Sequence, residues 1–178
     1  MTPARANRHP EAGPPLTVGR RIVRKAVVES TMDEVRAAAR AGEPEGLVIL
    51  AGRQSAGRGR HGRRWLDAPG RDLLASVLLR PDERIAGGLL MMAALAAART
   101  VDALTGARST IKWPNDVRVG GRKVCGVLAE SEAGPDGIAV VLGIGLNVNS
   151  DPSGRPDLAA TSLRLVAGRE VPLDEAER

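Results

Sequence analysis

Two glycine-rich turn signals divide the second half of this sequence into segments that suit β-strands. The turn signals are Gly120-Gly121 and the stretch 134–137, and the segments that they separate lie at about 109–113, 122–130 and 137–144. Turns this short join neighbouring antiparallel strands. The chain is therefore predicted to contain a sheet whose strands are connected mainly by hairpins.

Helical patterns accompany these strands. A helix capped by Ser30 or Thr31 is predicted to continue to about Ala41. The segment from Ile85 to Leu104 is apolar nearly all round, which predicts a buried helix. Together these patterns predict an α+β fold with a mixed, largely antiparallel sheet backed by helices. Further strands are predicted at 22–28, 46–51 and 73–79, and shorter helices near 160–166 and after Pro172.

The length and composition suit one globular domain. The chain has 178 residues, 43% of them hydrophobic, and it contains no Phe and no Tyr. Its core must therefore be built from Leu, Val, Ile, Ala and Met. Residues 1–19 contain four prolines and no periodic apolar pattern, so they are predicted to form a disordered tail ahead of a domain spanning 20–178.

The contents of cysteine, histidine and long apolar runs exclude several classes of protein. A single cysteine, Cys125, excludes an intrachain disulfide and zinc sites that need several thiolates. Two histidines leave little for a His-based metal site. No apolar run reaches the roughly 20 residues of a membrane span, and the N-terminus lacks the apolar segment of a secretory signal. A cytoplasmic enzyme is therefore expected.

The basic residues are strongly biased towards arginine. The net charge is +5, and of the 26 Lys and Arg residues only Lys25, Lys112 and Lys123 are lysines. A basic excess can serve nucleic acid or a phosphate-bearing small molecule. Because arginine is used almost everywhere else, each lysine is a candidate for a role that needs a compact charge.

The stretch from Gly57 to Trp65, GRGRHGRRW, is the most informative motif. Its alternating glycines let backbone N–H groups converge on an anion, and its arginines add charge and bidentate hydrogen bonds. Such a loop suits a carboxylate next to a phosphate and is expected to be mobile without ligand. The alternative is an Arg-Gly segment that binds nucleic acid by charge, but that usually involves repeats and aromatic stacking platforms.

Three further stretches carry candidate site residues. In Lys112-Trp113-Pro114-Asn115-Asp116 an amide and a carboxylate follow a strand, which suits either a magnesium-nucleotide complex or an ordinary turn. Lys123 begins an apolar strand, where it is either a solvated strand-end charge or a buried cation that needs an anionic partner. Cys125 shares the face of Lys123 by the two-residue period, and a small buried hydrophobe is the favoured interpretation. Asn147 ends a glycine-rich strand and either contacts a nucleotide or forms a turn.

In their order and spacing, these stretches and Glu29-Ser30-Thr31 resemble the biotin protein ligase family from about Ile22 to Leu173. The resemblance implies the fold shared with class II aminoacyl-tRNA synthetases and the activity of a biotin–[acetyl-CoA-carboxylase] ligase. Biotin's carboxylate would attack the α-phosphate of ATP, with Mg²⁺, to give biotinyl-5′-AMP. The biotinyl group would then pass to a lysine of a biotin carboxyl carrier protein.

The resemblance also implies roles for individual residues. Lys123 and Arg60 are expected to be catalytic, with Lys123 bridging the biotin carboxylate and the α-phosphate. The expected biotin-binding residues are Ser30, Thr31, Gln54, Gly57, Arg58, Gly59, Arg60, Lys123 and Gly126. The expected ATP-binding residues are Arg58, Arg60, Arg63, Trp65, Lys112, Asn115, Asp116, Lys123 and Asn147, with Asp116 also the expected Mg²⁺ ligand.

The sequence departs from the family pattern in three places. Met32 stands where the family usually has Asn after Ser-Thr. No winged helix precedes the domain, so DNA is not an expected partner, and neither is a membrane. The family commonly continues past the position of Arg178 into a small β-barrel, and a monomer or a homodimer is expected. The alternative within the fold is a lipoate ligase or an octanoyl transferase, the latter using Cys125 beside Lys123 as an acyl acceptor without ATP.

Overall fold

The computed structural model describes residues 18–134, 137–152 and 159–177. Residues 1–17 of the predicted tail and the centre of the predicted turn at 134–137 lie outside these ranges. Strands β1 to β7 span Arg21–Lys25, Leu47–Ala51, Leu73–Leu79, Thr110–Lys112, Asp116–Val119, Arg122–Gly134 and Gly137–Leu146. Helices α1 to α5 span Thr31–Arg40, Glu83–Ala86, Leu89–Thr105, Leu163–Ala167 and Leu173–Glu177.

The seven strands form one sheet in the order β1-β2-β3-β7-β6-β5-β4. Only β1 and β2 are parallel, and every other pair of neighbours is antiparallel. This confirms the predicted α+β fold with its mixed, largely antiparallel sheet. The sequence does not predict β5, because its four residues follow a Pro-Asn-Asp turn signal too closely to stand out as a separate strand.

The helices cover opposite faces of the sheet. Met32 and Val35 of α1 pack with Leu78 of β3, whereas Val77 of β3 packs in the cluster that contains the buried face of α3. Successive residues of a strand point to opposite faces, so α1 and α3 lie on opposite sides. The face under α1 also holds the candidate functional site.

The prediction of one buried helix from Ile85 to Leu104 is wrong in two respects. Gly87 and Gly88 separate the short α2 from α3, because glycine is a poor helix former and both residues occupy cap positions. In addition, α3 buries only one face, and its side chains Met91, Met92 and Leu95 are exposed. Within the described parts of the chain, no helix combines the length and apolarity needed to cross a membrane.

Candidate active site

Two adjoining cavities lie beside the glycine-arginine loop, defined as residues 57–65. The smaller has a volume of about 50 Å³ and is lined by the start of α1, by β6 and β7 and by the loop. The larger has a volume of about 500 Å³ and is lined by the loop, the segment 112–116 and residues that follow β7. The residues that line both cavities are Gly59, Arg60, Trp65, Asn115 and Lys123. The cavities therefore meet at two cationic side chains.

A flat surface of two paired glycines carries the indole ring of Trp65. Gly126 of β6 pairs directly with Gly145 of β7. A Cβ at Gly145 would lie 2.5 Å from Cε2 of Trp65, and a Cβ at Gly126 would lie 2.9 Å from its Cζ3. With the ring there, the smaller cavity is well below the roughly 300–1,000 Å³ of small-molecule sites, so the ring or the loop must shift when a ligand binds.

A β-bulge at Val124 directs Lys123 towards the cavities. Val117 of β5 pairs with Cys125, but the next residue, Arg118, pairs with Lys123, so β6 has one residue more than β5 at this point. Paired residues share a face and successive residues alternate, so Lys123 and Cys125 lie on opposite faces. The prediction that they share a face is wrong, because the bulge interrupts the two-residue period.

Lys123 is partly buried and paired with a carboxylate. Its Nζ lies 2.6 Å from Oδ1 of Asp116 and 5.3 Å from the centroid of the Trp65 ring. The lysine side chain is 28% exposed, so it is not a fully solvated strand-end charge. Asp116 supplies the negative charge that a half-buried ammonium needs, and Arg118 lies 3.7 Å from the same carboxylate.

Cys125 belongs to the core on the α3 side. It is fully buried and packs in the same cluster as Val117 and Leu146, as expected of a small buried hydrophobe. Burial raises the pKa of the Cys125 thiol to about 12. The thiol is therefore protonated at neutral pH, whereas a cysteine nucleophile acts as the thiolate.

Neutral polar groups line one end of the smaller cavity. Ser30 precedes α1 as its N-cap residue, but its side chain makes no capping hydrogen bond. Oε1 of Gln54 accepts hydrogen bonds from the backbone N of Thr31 at 2.8 Å and from its hydroxyl at 3.1 Å. These bonds orient the amide of Gln54 and leave its amino group as a donor.

Met32 closes the apolar part of this end. Its side chain is buried, and a Cβ at Gly143 of β7 would lie 2.7 Å from its sulfur. Met32, which stands where the family usually has Asn, thus packs its thioether against Gly143. The polar contacts here must come from the neighbouring Ser30, Thr31 and Gln54.

The glycine-arginine loop forms a short hairpin over the cavities, with a single 3₁₀ turn at Arg60–Gly62. Nη1 of Arg60 donates to Oδ1 of Asn115 at 3.3 Å, which joins the loop tip to the segment 112–116. Whether the loop is mobile without ligand stays a prediction. Its two arms are joined by backbone hydrogen bonds from Trp65 N to Gly57 O at 3.0 Å and from Gly59 N to Arg63 O at 2.8 Å.

Buried polar atoms without a hydrogen-bond partner are concentrated at the cavities. Among the described residues these atoms are Ser30 Oγ, Arg58 Nε, Trp65 Nε1 and Arg118 Nε, and each of the four residues lines at least one of the two cavities. Buried polar groups in folded proteins are nearly always paired. Their concentration here indicates a site whose polar partners come from a ligand.

The structure brings most of the expected site residues to the two cavities. Gly57 is an exception, since it lines neither cavity. It packs against the other arm of the loop, where a Cβ of residue 57 would lie 2.9 Å from the carbonyl oxygen of Trp65. The amide of Asn147 donates to Thr161 O at 2.9 Å, so it also stabilises local backbone. Besides the shared residues, the smaller cavity is lined by Ser30, Thr31, Gln54, Arg58 and Gly126, and the larger by Arg63, Lys112, Asp116 and Asn147.

Asp72 lines the larger cavity and is not predicted from the sequence. Its carboxylate accepts hydrogen bonds at 3.0 Å from Val148 N and from Ala68 N, which ties the chain after the loop to the segment after β7. Burial raises the pKa of Asp72 above its usual value, although these hydrogen bonds act in the opposite direction. A lone acidic residue directly before an apolar strand is the sequence signal that could have identified it.

Asp116 is the expected Mg²⁺ ligand, and it lines the larger cavity. Within the described residues, no group of three or more His, Cys, Asp or Glu side chains is placed to hold a metal. Magnesium at nucleotide sites uses one or two carboxylates together with phosphate oxygens. One carboxylate at the larger cavity is enough for an ion that is carried by a nucleotide, so Asp116 as a Mg²⁺ ligand stays a prediction.

Comparison with known proteins relates this site to a family. The sequence matches the model of the Biotin/lipoate A/B protein ligase family over residues 25–147. It is 36% identical over 160 residues to the bifunctional ligase/repressor BirA of Bacillus subtilis. The aligned region covers 86% of this chain and 49% of that protein. The chain spans about half the length of the curated relatives it matches.

Solved structures show the same fold. The biotin protein ligase of Aquifex aeolicus in complex with biotin and ATP superposes with a TM-score of 0.72 at 30% identity, covering 89% of this chain and 66% of that one. The biotin protein ligase of Leishmania major in complex with biotinyl-5-AMP gives a TM-score of 0.75 at 28% identity, covering 89% and 70%. Because the family model matches well over half of the chain, this protein belongs to the biotin/lipoate A/B protein ligase family, which confirms the resemblance to biotin protein ligases seen in its sequence.

Proposed function

We propose that this protein activates biotin with ATP to give biotinyl-5′-AMP and pyrophosphate. The observation that carries the proposal is the junction of the two cavities at Lys123 and Arg60. The smaller cavity ends in neutral donors and acceptors, which suit the uncharged rings of biotin. The larger is lined by six Lys and Arg residues against four Asp residues, and this excess of positive charge suits a triphosphate. Related ligases bind biotin with ATP, or biotinyl-5-AMP.

The cationic side chains of Lys123 and Arg60 would lower the main electrostatic barrier to adenylation. A carboxylate oxygen of biotin must attack the α-phosphorus while pyrophosphate leaves, and the two reacting anions repel each other. Lys123 and Arg60 would lie between them and offset that repulsion, and once substrate binding has brought both cations into contact with the anions, the reaction itself needs no further rearrangement of them. Lys123 would exchange its ion pair with Asp116 for contacts to the biotin carboxylate and the α-phosphate, which frees Asp116 for the Mg²⁺ of the nucleotide.

We further propose that the adenylate is used to modify a biotin carboxyl carrier protein. The ε-amine of a carrier lysine would attack the acyl carbon of biotinyl-5′-AMP, forming an amide and releasing AMP. The adenylate would span both cavities, so its acyl carbon would lie near the junction, beneath the glycine-arginine loop. The loop would have to open, or present a gap, for the carrier lysine to enter.

Pyrophosphate release tests the proposal directly. The purified chain is mixed with ATP and Mg²⁺ and with biotin, lipoate or no acid. We expect release with biotin that exceeds release in both other mixtures. Release in the mixture with lipoate but not in the mixture with biotin would show that the chain is a lipoate ligase. Without release in any mixture, adenylation by this chain is ruled out, and octanoyl transfer would be measured next.

Replacing Cys125 by Ala separates the ligase from the transferase. We expect biotin-dependent ATP–pyrophosphate exchange within about twofold of the parent, because the thiol is protonated and lies on the opposite face from Lys123. A small loss of stability, about 1 kcal/mol, is expected from the smaller buried side chain. Thermal unfolding measures that loss. A folded variant without turnover, or a thioester trapped on Cys125 in the parent, would favour the acyl transferase.

Replacing Gly145 by Ala tests the position of Trp65. The new methyl group would lie 2.5 Å from the indole, so the ring must leave the surface formed by the two paired glycines. If Trp65 stacks on adenine from its present position on the two glycines, we expect the KM for ATP to rise about tenfold, since stacking contributes about 1–3 kcal/mol per base. Gly134→Ala, at the far end of β6 where a Cβ meets nothing closer than 3.8 Å, is the control. An equal KM in the two variants contradicts the assignment.

A further inference from the structure

Four charged side chains form a closed ring beside the smaller cavity. Asp33 and Arg36 come from α1, Glu130 comes from β6, and Arg58 comes from the glycine-arginine loop. Arg58 lies 2.5 Å from Oε2 of Glu130 and 3.4 Å from Oδ1 of Asp33. Arg36 pairs with the same two oxygens, at 2.5 Å from Oδ1 of Asp33 and in close contact with Oε2 of Glu130. Each carboxylate is therefore paired both with Arg36 of α1 and with Arg58 of the loop.

The ring attaches the loop to the rigid part of the fold. Three of its members belong to a helix and a strand, and only Arg58 belongs to the glycine-rich segment. The loop concentrates like charges, since Arg60, Arg63 and Arg64 follow within six residues. Glycines and like charges both favour an open loop, the former through conformational entropy and the latter through repulsion. Two carboxylates acting on one loop arginine oppose both effects.

We propose that Asp33 and Glu130 are positioning residues that hold Arg58, and with it the glycine-arginine loop, over the adenylate. The inference rests on the proposed function, and it assigns a role to two acidic residues that lie outside the predicted site. The Nε of Arg58 is buried without a partner beside the cavity, while both terminal nitrogens face the carboxylates. The ring thus fixes the guanidinium of a residue that lines the smaller cavity.

Glu130→Gln tests this role, with two comparison variants from the same helix and strand. Glu132→Gln breaks the ion pair between Glu132 and Arg40, which joins the same β6 and α1 but makes no contact with the loop. Arg36→Gln removes the arginine that shares both carboxylates with Arg58 but leaves the carboxylates in place. If the ring only joins α1 to β6 and does not hold the loop, Glu130→Gln and Arg36→Gln should have equal effects on loop cleavage.

The first measurement is the rate of trypsin cleavage after the loop arginines, without substrates. We expect cleavage in Glu130→Gln about fivefold faster than in Glu132→Gln, since a partly exposed pair contributes up to about 1 kcal/mol. Arg36→Gln should resemble Glu132→Gln. If Glu130→Gln is cleaved no faster than Glu132→Gln, or Arg36→Gln is cleaved as fast as Glu130→Gln, the proposal is overturned.

The second measurement follows the adenylate in a filter-binding chase with excess unlabelled biotin. We expect biotinyl-5′-AMP to leave Glu130→Gln about fivefold faster than Glu132→Gln, with kcat for ATP–pyrophosphate exchange within about twofold. Equal rates of loss overturn the role in holding the adenylate. A parent that forms no adenylate would refute the proposed function instead, and the cleavage comparison would still decide whether the ring holds the loop.

A folding defect in Glu130→Gln would not leave the question open. Asp33→Asn removes the other carboxylate of the ring from the more exposed side chain, which is 44% exposed. We expect it to accelerate loop cleavage in the same direction and by a smaller factor, because its contact with Arg58 is longer. Loop cleavage in a folded Asp33→Asn variant that matches the parent overturns the proposal.

Discussion

Replacing Lys123 by Arg is expected to lower biotin-dependent ATP–pyrophosphate exchange at least about tenfold, equivalent to about 1.4 kcal/mol of barrier. The charge is kept, so any loss comes from shape. The ammonium lies 2.8 Å from the point where a Cβ of Gly126 would be, and its other neighbours are Asp116 and the Trp65 ring. A guanidinium is larger and planar, so it would displace both reacting anions from the positions that the compact ammonium favours.

Lys25→Arg is the matched control for this prediction. Lys25 is also paired with a carboxylate, that of Glu34, but its side chain is 39% exposed. It lies on the edge strand β1, which β2 and β3 separate from the site strands β7 and β6, and it lines neither cavity. We expect exchange and thermal stability like those of the parent. Lys123→Arg should keep the stability but lose the exchange. If Lys123→Arg exchanges as fast as Lys25→Arg, then Lys123 does not bridge the two substrates.

Replacing Arg60 by Ala is expected to leave the fold intact and to shorten the lifetime of bound biotinyl-5′-AMP about tenfold to a hundredfold. A charge-assisted hydrogen bond to a phosphate contributes about 1.5–3 kcal/mol. Arg60 lines both cavities, and its present partner is the neutral amide of Asn115 at 3.3 Å. It can therefore turn to an anionic ligand without breaking an ion pair.

The release of radiolabelled adenylate from Arg60→Ala, the parent and Arg99→Ala measures this effect. Arg99 is an exposed arginine of α3, on the opposite side of the sheet, and its removal should change nothing. Escaped adenylate is also expected to biotinylate lysines of a bystander protein that is not a carrier. An adenylate lifetime in Arg60→Ala equal to that in Arg99→Ala would show that this arginine does not hold the phosphate.

Local patterns in the sequence were sufficient for most of the fold. The apolar run at 73–79 is β3 residue for residue, and the glycine turn at 120–121 joins two antiparallel strands. That the GRGRHGRRW loop binds an anion stays a prediction, made from its glycines and arginines alone. These features depend on residues within a few positions of one another, so no distant contact is needed to infer them. The error at α3 has the same origin, because helix periodicity does not show how much of an apolar helix its neighbours cover.

The sequence by itself determined the fold class, the family and the chemical character of the glycine-arginine loop, whereas only the tertiary structure decided the geometry of the site. The β-bulge at Val124 places Lys123 and Cys125 on opposite faces, and no local pattern predicts it. Gly126 and Gly145 carry the Trp65 ring because they are paired between two strands. The physical reason is strand register, which follows from the packing of side chains far apart in sequence, and a shift of one residue exchanges the two faces of a strand.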